Sequence, residues 1–314
     1  MDIAFIVDPL ENLNPDKDSS IEMMRAAARR GHALFAIESG ELQLRTNQVW
    51  SKALPLTLTE GPSWYRCGPP VQRTLQDFSA VMMRKDPPFD MEYVFATYLL
   101  ELAEQQGARV FNRPQALRDF NEKLSTARFP ELTPPLLVSR QQQTLREFIR
   151  EQGDIILKPL DGMGGSEIFR VHAQDPNLGV ILETMTRHNQ RTIMAQRYLP
   201  AIAQGDKRVL VVDGKPMPYC LARMPAPGET RGNLAAGGSG HAQPLSERDR
   251  VIAEAVAPIL KQAGLLLVGL DIIGDYLTEI NVTSPTCMRE IRDQTGWDTA
   301  EAVIEALERT IPKG

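Results

Sequence analysis

Residues 265–289, LLLVGLDIIGDYLTEINVTSPTCMR, constrain the fold of this chain more than any other stretch. Two apolar runs, 266–273 and 277–282, flank Gly274-Asp275, the pattern of a β-hairpin. Asp271, Glu279 and Asn281 interrupt these runs with polar groups. Glu279 and Asn281 lie two apart and so leave the strand on one face. A two-residue loop would set Asp271 against Thr278 and send Glu279 to the other face. A three-residue loop over 274–276 sets Asp271 across from Glu279 and keeps Leu270, Ile272, Ile280 and Val282 together on a buried face. The three-residue loop is the expectation here.

Two facing carboxylates repel and raise each other's pKa, a conflict that a hard cation removes. Carboxylate and amide oxygens with room for water suit Mg²⁺ carrying nucleotide phosphates. A polar face turned to solvent accounts for the hairpin alone equally well, so the rest of the chain decides.

The chain has 314 residues, 42 % hydrophobic and 24 % charged, with a net charge of −5. Two or three cooperating domains fit that length. The mild acidity leaves no footprint for nucleic acid or an anionic membrane surface. No apolar run approaches a bilayer span, and MDIAFIVDPL lacks the basic start of a signal peptide. Cys67, Cys220 and Cys287 are widely spaced, which fits free thiols in a reducing cytoplasm.

A strand over 2–8, a helix opened by the capping box Ser19-Ser20-Ile21-Glu22, and a strand over 33–38 predict a parallel α/β start. Residues 46–76, rich in Pro, Gly and polar groups, yield little. A strand over 78–83, helices over 91–106 and 114–120, and a short strand over 109–111 follow. Further helices are expected over 122–129, 144–151, 177–188, 248–262 and 299–310. Strands are expected over 136–138, 155–158, 168–171, 192–196, 208–212 and 215–223, their hairpins pointing to antiparallel pairing. Residues 224–240, MPAPGETRGNLAAGGSG, read as a glycine-rich loop, functional or mobile.

Four constellations carry chemistry. Lys158 ends a strand and runs into Gly162, Met163, Gly164, Gly165 and Ser166, where glycines let backbone N–H groups converge on phosphate. The lysine precedes the glycines, so this is not a P-loop. Lys123 sits in Asn121-Glu122-Lys123. Gln196-Arg197-Tyr198-Leu199 form an extended connector whose backbone can read an adenine edge, and which also reads as a plain linker. Arg208, Arg223 and Arg231 supply forks for carboxylate or phosphate. The four histidines show no metal spacing, and neither GxSxG nor GxGxxG occurs.

In that order these segments resemble the ATP-grasp ligases, and closely the bacterial glutathione synthetases. The matching stretches are DPLENLNPDKDSS (8–20), MRKDPPFD (83–90), RDFNEKL (118–124), DIILKPLDGMGGS (154–166), GDKRVLVVDG (205–214), PYCLARMPAPGETRGNLAAGG (218–238) and VGLDIIGDYLTEINVTSPTC (268–287). Ser239 departs from the basic residue of many relatives.

The resemblance implies an α/β (α+β) class. Its parts would be an N-terminal parallel α/β (pre-ATP-grasp) domain over 1–120, a central lid domain over 121–200 and a catalytic domain over 201–314. It implies ATP held by Lys123, Lys158 and the 162–166 backbone, adenine at Gln196 through Leu199, and ribose at Asp206. It further implies two Mg²⁺ (Mn²⁺ able to substitute) on Asp271, Glu279 and Asn281, with Glu279 touching both. Arg208, Arg223 and Arg231 would be catalytic, and Ser19, Ser284, Pro285 and Thr286 would seat substrate. The 224–240 loop would close over an acyl phosphate. The implied reaction joins γ-glutamylcysteine to glycine, in a cytoplasmic homotetramer. A ligase for other amino-acid substrates and a nucleotide-binding module without turnover are the alternatives.

Overall fold

The computed structural model describes residues 1–60, 63–226, 232 and 237–311. Its first unit is a sheet in the order Leu42–Arg45, Gln48–Leu58, Ala33–Glu38, Asp2–Val7, Ala80–Met83, Val110–Phe111. Asp2–Val7 runs parallel to both of its neighbours, as does Ala80–Met83 to Val110–Phe111. The alternation to a helix between these strands produces that parallel half. The other half is antiparallel and lies in the stretch where the sequence showed little. There Gln48–Leu58 pairs with four strands, among them Tyr65–Cys67 and Val71–Thr74.

Helix Ser19–Arg29 corrects the expected cap. Asp18, not a serine, is the N-cap, and its carboxylate accepts from Ser20 N and Ile21 N at 2.6 and 3.2 Å. An aspartate one residue earlier offers the helix start a charged acceptor, which the dipole favours. The helix expected over 122–129 is a 3-10 turn, Leu124–Arg128.

The central unit is an antiparallel sheet ordered Phe169–Val171, Ile155–Pro159, Ile193–Arg197, Leu136–Ser139. Helices Gln142–Gln152 and Leu178–Thr186 cover it, burying Leu145, Ile149 and Leu182 against Leu157 and Ile193. Each such side chain contributes roughly 1.5–3 kcal/mol of burial. This core is its own.

The C-terminal sheet is antiparallel, ordered Ser239–Pro244, Lys215–Met224, Asp206–Val212, Leu267–Ile273, Tyr276–Asn281. Helix Glu247–Gln262, started by a Ser246/Asp249 capping box, packs on it. Its interior is continuous with the N-terminal unit: Ala4, Ile6, Val81 and Val110 share one apolar cluster with Val209, Leu270 and Ile280. Asn112 stitches the two together, donating to Leu267 O and Val282 O at 2.7 and 2.8 Å.

Two boundaries differ from the sequence reading. Ser239 and Gly240, expected in the glycine-rich loop, begin a strand with Gly240 opposite Arg223. Residues 227–231 and 233–236 of that loop, Arg231 included, lie outside the described residues. An unforeseen helix, Met288–Thr295, follows the hairpin.

Candidate active site

The hairpin of 267–281 does oppose Asp271 to Glu279, but by a different device from the one expected. The turn is two residues long, with Ile273 opposite Tyr276 and Ile272 opposite Leu277. Gly274 takes φ +57°, and a Cβ there would meet the Ala201 side chain at 2.9 Å. The surplus residue sits in the strand instead, as a bulge that admits Thr278 beside Asp271. The bulge has a use. Thr278 Oγ1 donates to Asp271 O at 3.0 Å, while the Thr278 carbonyl accepts from Lys158 Nζ at 3.2 Å.

Around this hairpin lies a cleft of about 340 Å³, lined from the central and C-terminal sheets, the connector between them and the loop after Ala80–Met83. Lys158 comes from the end of Ile155–Pro159, and Lys123 from the turn before Leu124–Arg128. Both ammonium groups point at Glu279 Oε1, at 3.5 and 3.7 Å, and Lys123 Nζ also donates to Gly162 O at 2.7 Å. Burial pushes the Lys158 ammonium below its ordinary range; Glu279 opposes this and Lys123 adds to it. The Glu279 side chain keeps 21 % exposure where the lysines keep 5 and 6 %, so it is the member of the trio open to a ligand.

The arginines are already engaged. Arg208 grips Asp271 bidentately at 2.6 and 3.1 Å, and Arg223 reaches Asp271 Oδ2 at 2.8 Å and Asp206 Oδ2 at 2.5 Å. Burial alone would raise both acids. Asp271, between two guanidiniums, is held well below the carboxylate range, whereas Asp206 is pushed up to about 7, with Asp271 and Glu279 adding to its burial. Among the described residues Asp206 is paired with Arg223, which it shares with Asp271, and so protonates first.

Linkage gives the sign. A folded-state value near 7 against an ordinary 3.8 means that the native protein holds a proton there which the unfolded chain releases. That stability is complete below the ordinary value and is lost as pH rises through about 7. Denaturant titration of the ligand-free protein should show wild-type stability falling from pH 5 to pH 8 more than that of Asp206→Asn. Parallel pH curves would remove the assignment.

Gly162, Met163, Gly164, Gly165, Ser166, Gln196, Arg197, Tyr198, Leu199, Asp206, Asn281, Ser284, Pro285 and Thr286 all line the same cleft. Ser19 does not. It is fully buried beneath helix Met288–Thr295, its Oγ accepting from Met288 N at 3.2 Å, which answers to a structural tie. Asn281 donates to Gly269 O at 3.2 Å. Two buried atoms of cleft-lining residues, Gln196 Nε2 and Asp206 Oδ1, have no hydrogen-bond partner among the described residues. Such atoms are costly unless a ligand serves them.

Three cleft residues lie in stretches the resemblance marked but received no role from it: Asp86, Glu122 and Thr283. Ser284 Oγ donates to Asp86, which burial pushes up. Glu122 accepts from Thr283 Oγ1 at 2.8 Å, and burial pushes it up against the influence of Lys123.

The profile of the prokaryotic glutathione synthetase N-terminal domain matches residues 1–118, and that of the prokaryotic glutathione synthetase ATP-grasp domain matches residues 122–296. The chain belongs to the prokaryotic glutathione synthetase family. It is 59 % identical to the glutathione synthetase of Ralstonia nicotianae, over 100 % of this chain and 97 % of that protein. It is 57 % identical to that of Nitrosomonas europaea, over 100 % and 99 %. Among solved structures, D-cycloserine synthetase DcsG superposes with a TM-score of 0.67 at 15 % identity, covering 99 % of this chain and 100 % of that one. The ATP-grasp ligase PsnB, complexed with minimal precursor, Mg and ADP, gives 0.64 at 17 %, covering 99 % and 97 %. At such identities the likeness shows the ATP-grasp fold. As a glutathione synthetase family member this chain is an ATP-dependent ligase. No helix among its described residues is long and apolar enough to cross a membrane.

Proposed function

We propose that the chain joins the cysteinyl carboxylate of γ-glutamylcysteine to the amine of glycine, consuming ATP and releasing ADP and phosphate. The observation that carries this reading is the convergence of Lys123 and Lys158 on Glu279 inside one cleft. A carboxylate must be activated before an amine can displace its oxygen. In the first step a carboxylate oxygen attacks the γ-phosphorus, the bond to ADP breaks, and an acyl phosphate forms. The amine nitrogen then attacks the carbonyl carbon, sheds its proton, and phosphate leaves.

Two anions meet in the first step, so cations must be in place before it. Lys123 and Lys158 serve the nucleotide phosphates with the 162–166 backbone above them, Gln196 through Leu199 take adenine, and Asp206 takes ribose. Arg208 and Arg223 steady the transferred group, and Ser284, Pro285 and Thr286 line the substrate end. Arg231, outside the described residues, keeps a catalytic role only by family resemblance.

Asp271, Glu279 and Asn281 fit a hard cation: two carboxylates pair across one hairpin, and Asn281, two residues past Glu279 on the same face, adds an amide oxygen. Mg²⁺ held there would neutralise phosphate oxygens.

The deciding experiment is ADP release with γ-glutamylcysteine plus glycine, with each omitted, and with a panel of amino acids replacing glycine. Turnover only with both substrates supports the reading. Equal turnover with other amines, or none with glycine, ends it.

Lys123→Ala and Lys158→Ala should each weaken ATP binding by roughly 1.5–3 kcal/mol, the worth of a charge-assisted contact. Tight nucleotide binding by the double variant in calorimetry would remove both assignments.

We propose also a cytoplasmic setting and a homo-oligomer. Met91, Phe95 and Tyr98 support the second, forming an exposed apolar stripe on helix Met91–Gln105. Sedimentation at the mass of one chain would dismiss it.

A further inference from the structure

Glu122 and Asp86 are the cleft carboxylates that the reaction above leaves unused, and of the two Glu122 is tied to the hairpin itself. It is bound to the hairpin's end in two ways. Its main-chain carbonyl accepts from Ile280 N at 2.8 Å, so the turn carrying Lys123 extends the edge of the strand Tyr276–Asn281. Its carboxylate Oε1 accepts from Thr283 Oγ1 at 2.8 Å and from Thr283 N at 3.4 Å. Between these anchors lies Asn281, and directly after them Ser284, whose hydroxyl is tied in turn to Asp86. Lys123 is placed separately: its backbone N–H donates to Asn121 Oδ1 at 3.2 Å and its ammonium to Gly162 O. The hydrogen bonds of the Glu122 side chain therefore go to the 281–284 side, and Lys123 acts on it only through its charge.

Asp271 is engaged by Arg208 and Arg223, Asp206 by Arg223, and Glu279 by the two lysines, while Asp86 takes the Ser284 hydroxyl. A threonine pinned at both its N–H and its hydroxyl has little freedom left, because a paired acceptor fixes backbone and rotamer together. That rigidity is what a metal ligand two residues upstream and a substrate-seating serine one residue downstream require.

We propose that Glu122 is a positioning residue, whose carboxylate fixes Thr283 so that Asn281 is held for the cation and Ser284 for the substrate. The proposal rests on the metal and substrate roles given above for those two residues, and it deepens that reading of the site. What the carboxylate contributes here is an acceptor, not a charge. Glutamine offers the same acceptor oxygen and alanine offers none.

The test compares Glu122→Gln, Glu122→Ala, Thr283→Val and the double variant Glu122→Ala/Thr283→Val. The first readout is calorimetric binding of ADP as a function of Mg²⁺ concentration, which needs no turnover. The second is kcat and KM with γ-glutamylcysteine and glycine. Glu122→Ala should raise the half-saturating Mg²⁺ about five- to ten-fold and lower kcat at least ten-fold. Its ADP binding without Mg²⁺ should stay within about three-fold of wild type. Glu122→Gln should remain within about three-fold in every readout. Thr283→Val should reproduce the alanine variant in direction, and the double variant should be no worse than the more impaired single.

Equal impairment of Glu122→Gln and Glu122→Ala would overturn the proposal, since charge would then matter. So would additive losses in the double variant, or a lowered Tm with Mg²⁺ dependence unchanged. A wild-type protein that forms no peptide but shows the calorimetric pattern would refute the substrates while leaving Glu122 in place.

Discussion

Glu279→Gln should lower turnover by roughly two to four powers of ten, as for loss of a central electrostatic stabiliser. The change is nearly isosteric, so the hairpin should still pair Asp271 against residue 279 and the fold should persist. What disappears is a negative charge shared by Lys123 and Lys158 and still open to the cleft. Lys158, already lowered by burial, loses the partner that opposes the fall. Its grip on phosphate should weaken as pH rises, so the variant's nucleotide affinity should decline toward alkaline pH more steeply than that of wild type. Initial rates of ADP release, with Tm as the control for folding, measure the effect. A variant within ten-fold of wild type at saturating Mg²⁺ would show that Glu279 is merely a counter-ion for the lysines.

Why the hairpin's face was legible while its turn was not has a simple physical cause. Between Asp271 and Glu279 the chain has one residue more than a two-residue turn accommodates. That surplus can sit in the loop or in the strand. Either choice restores the alternation beyond it, so Leu270 and Ile280 are buried in both cases. The apolar pattern reports the register of the far ends and is blind to where the extra residue lodges. Lys158 tells the two apart, because its ammonium takes the carbonyl that the bulge frees, a contact from another sheet.

Similar reasoning covers the other differences. Ser19-Ser20-Ile21-Glu22 satisfies the capping-box pattern, yet Asp18 stands one position earlier with a stronger acceptor, and Ser19 is used to hold Met288. Gln48–Leu58 buries Val49, Ser51, Ala53 and Leu56, but Ser51 and the breaker Pro55 hide that alternation from a hydropathy reading. Asp86, Glu122 and Thr283 reach the cleft from loops far apart in the chain, and no local spacing announces such a meeting. Lysines ahead of glycines, and carboxylates on a hairpin, were legible because each needs only its own element to be understood.

Arg208→Ala is expected to cost stability as well as activity, by about 3–5 kcal/mol, the range for breaking a buried pair and leaving one charge behind. Arg208 holds both oxygens of Asp271, and both side chains are nearly closed to solvent. The guanidinium lies across Gly269, where a Cβ would come within 2.8 Å of Arg208 Cδ, so the backbone itself is shaped around this side chain. Arg223 remains on Asp271 Oδ2 and limits the loss, which places the outcome at the lower end of the range. Stability and catalysis can then be separated. Arg208→Ala/Asp271→Asn removes the stranded charge and should recover most of the lost denaturation free energy, because the asparagine needs no counter-ion. It should recover none of the turnover, since both a cation for the transferred phosphoryl group and a carboxylate for the metal would be missing. Recovery of activity together with stability would mean that the Arg208–Asp271 pair only holds strands Asp206–Val212 and Leu267–Ile273 together, and takes no part in the reaction.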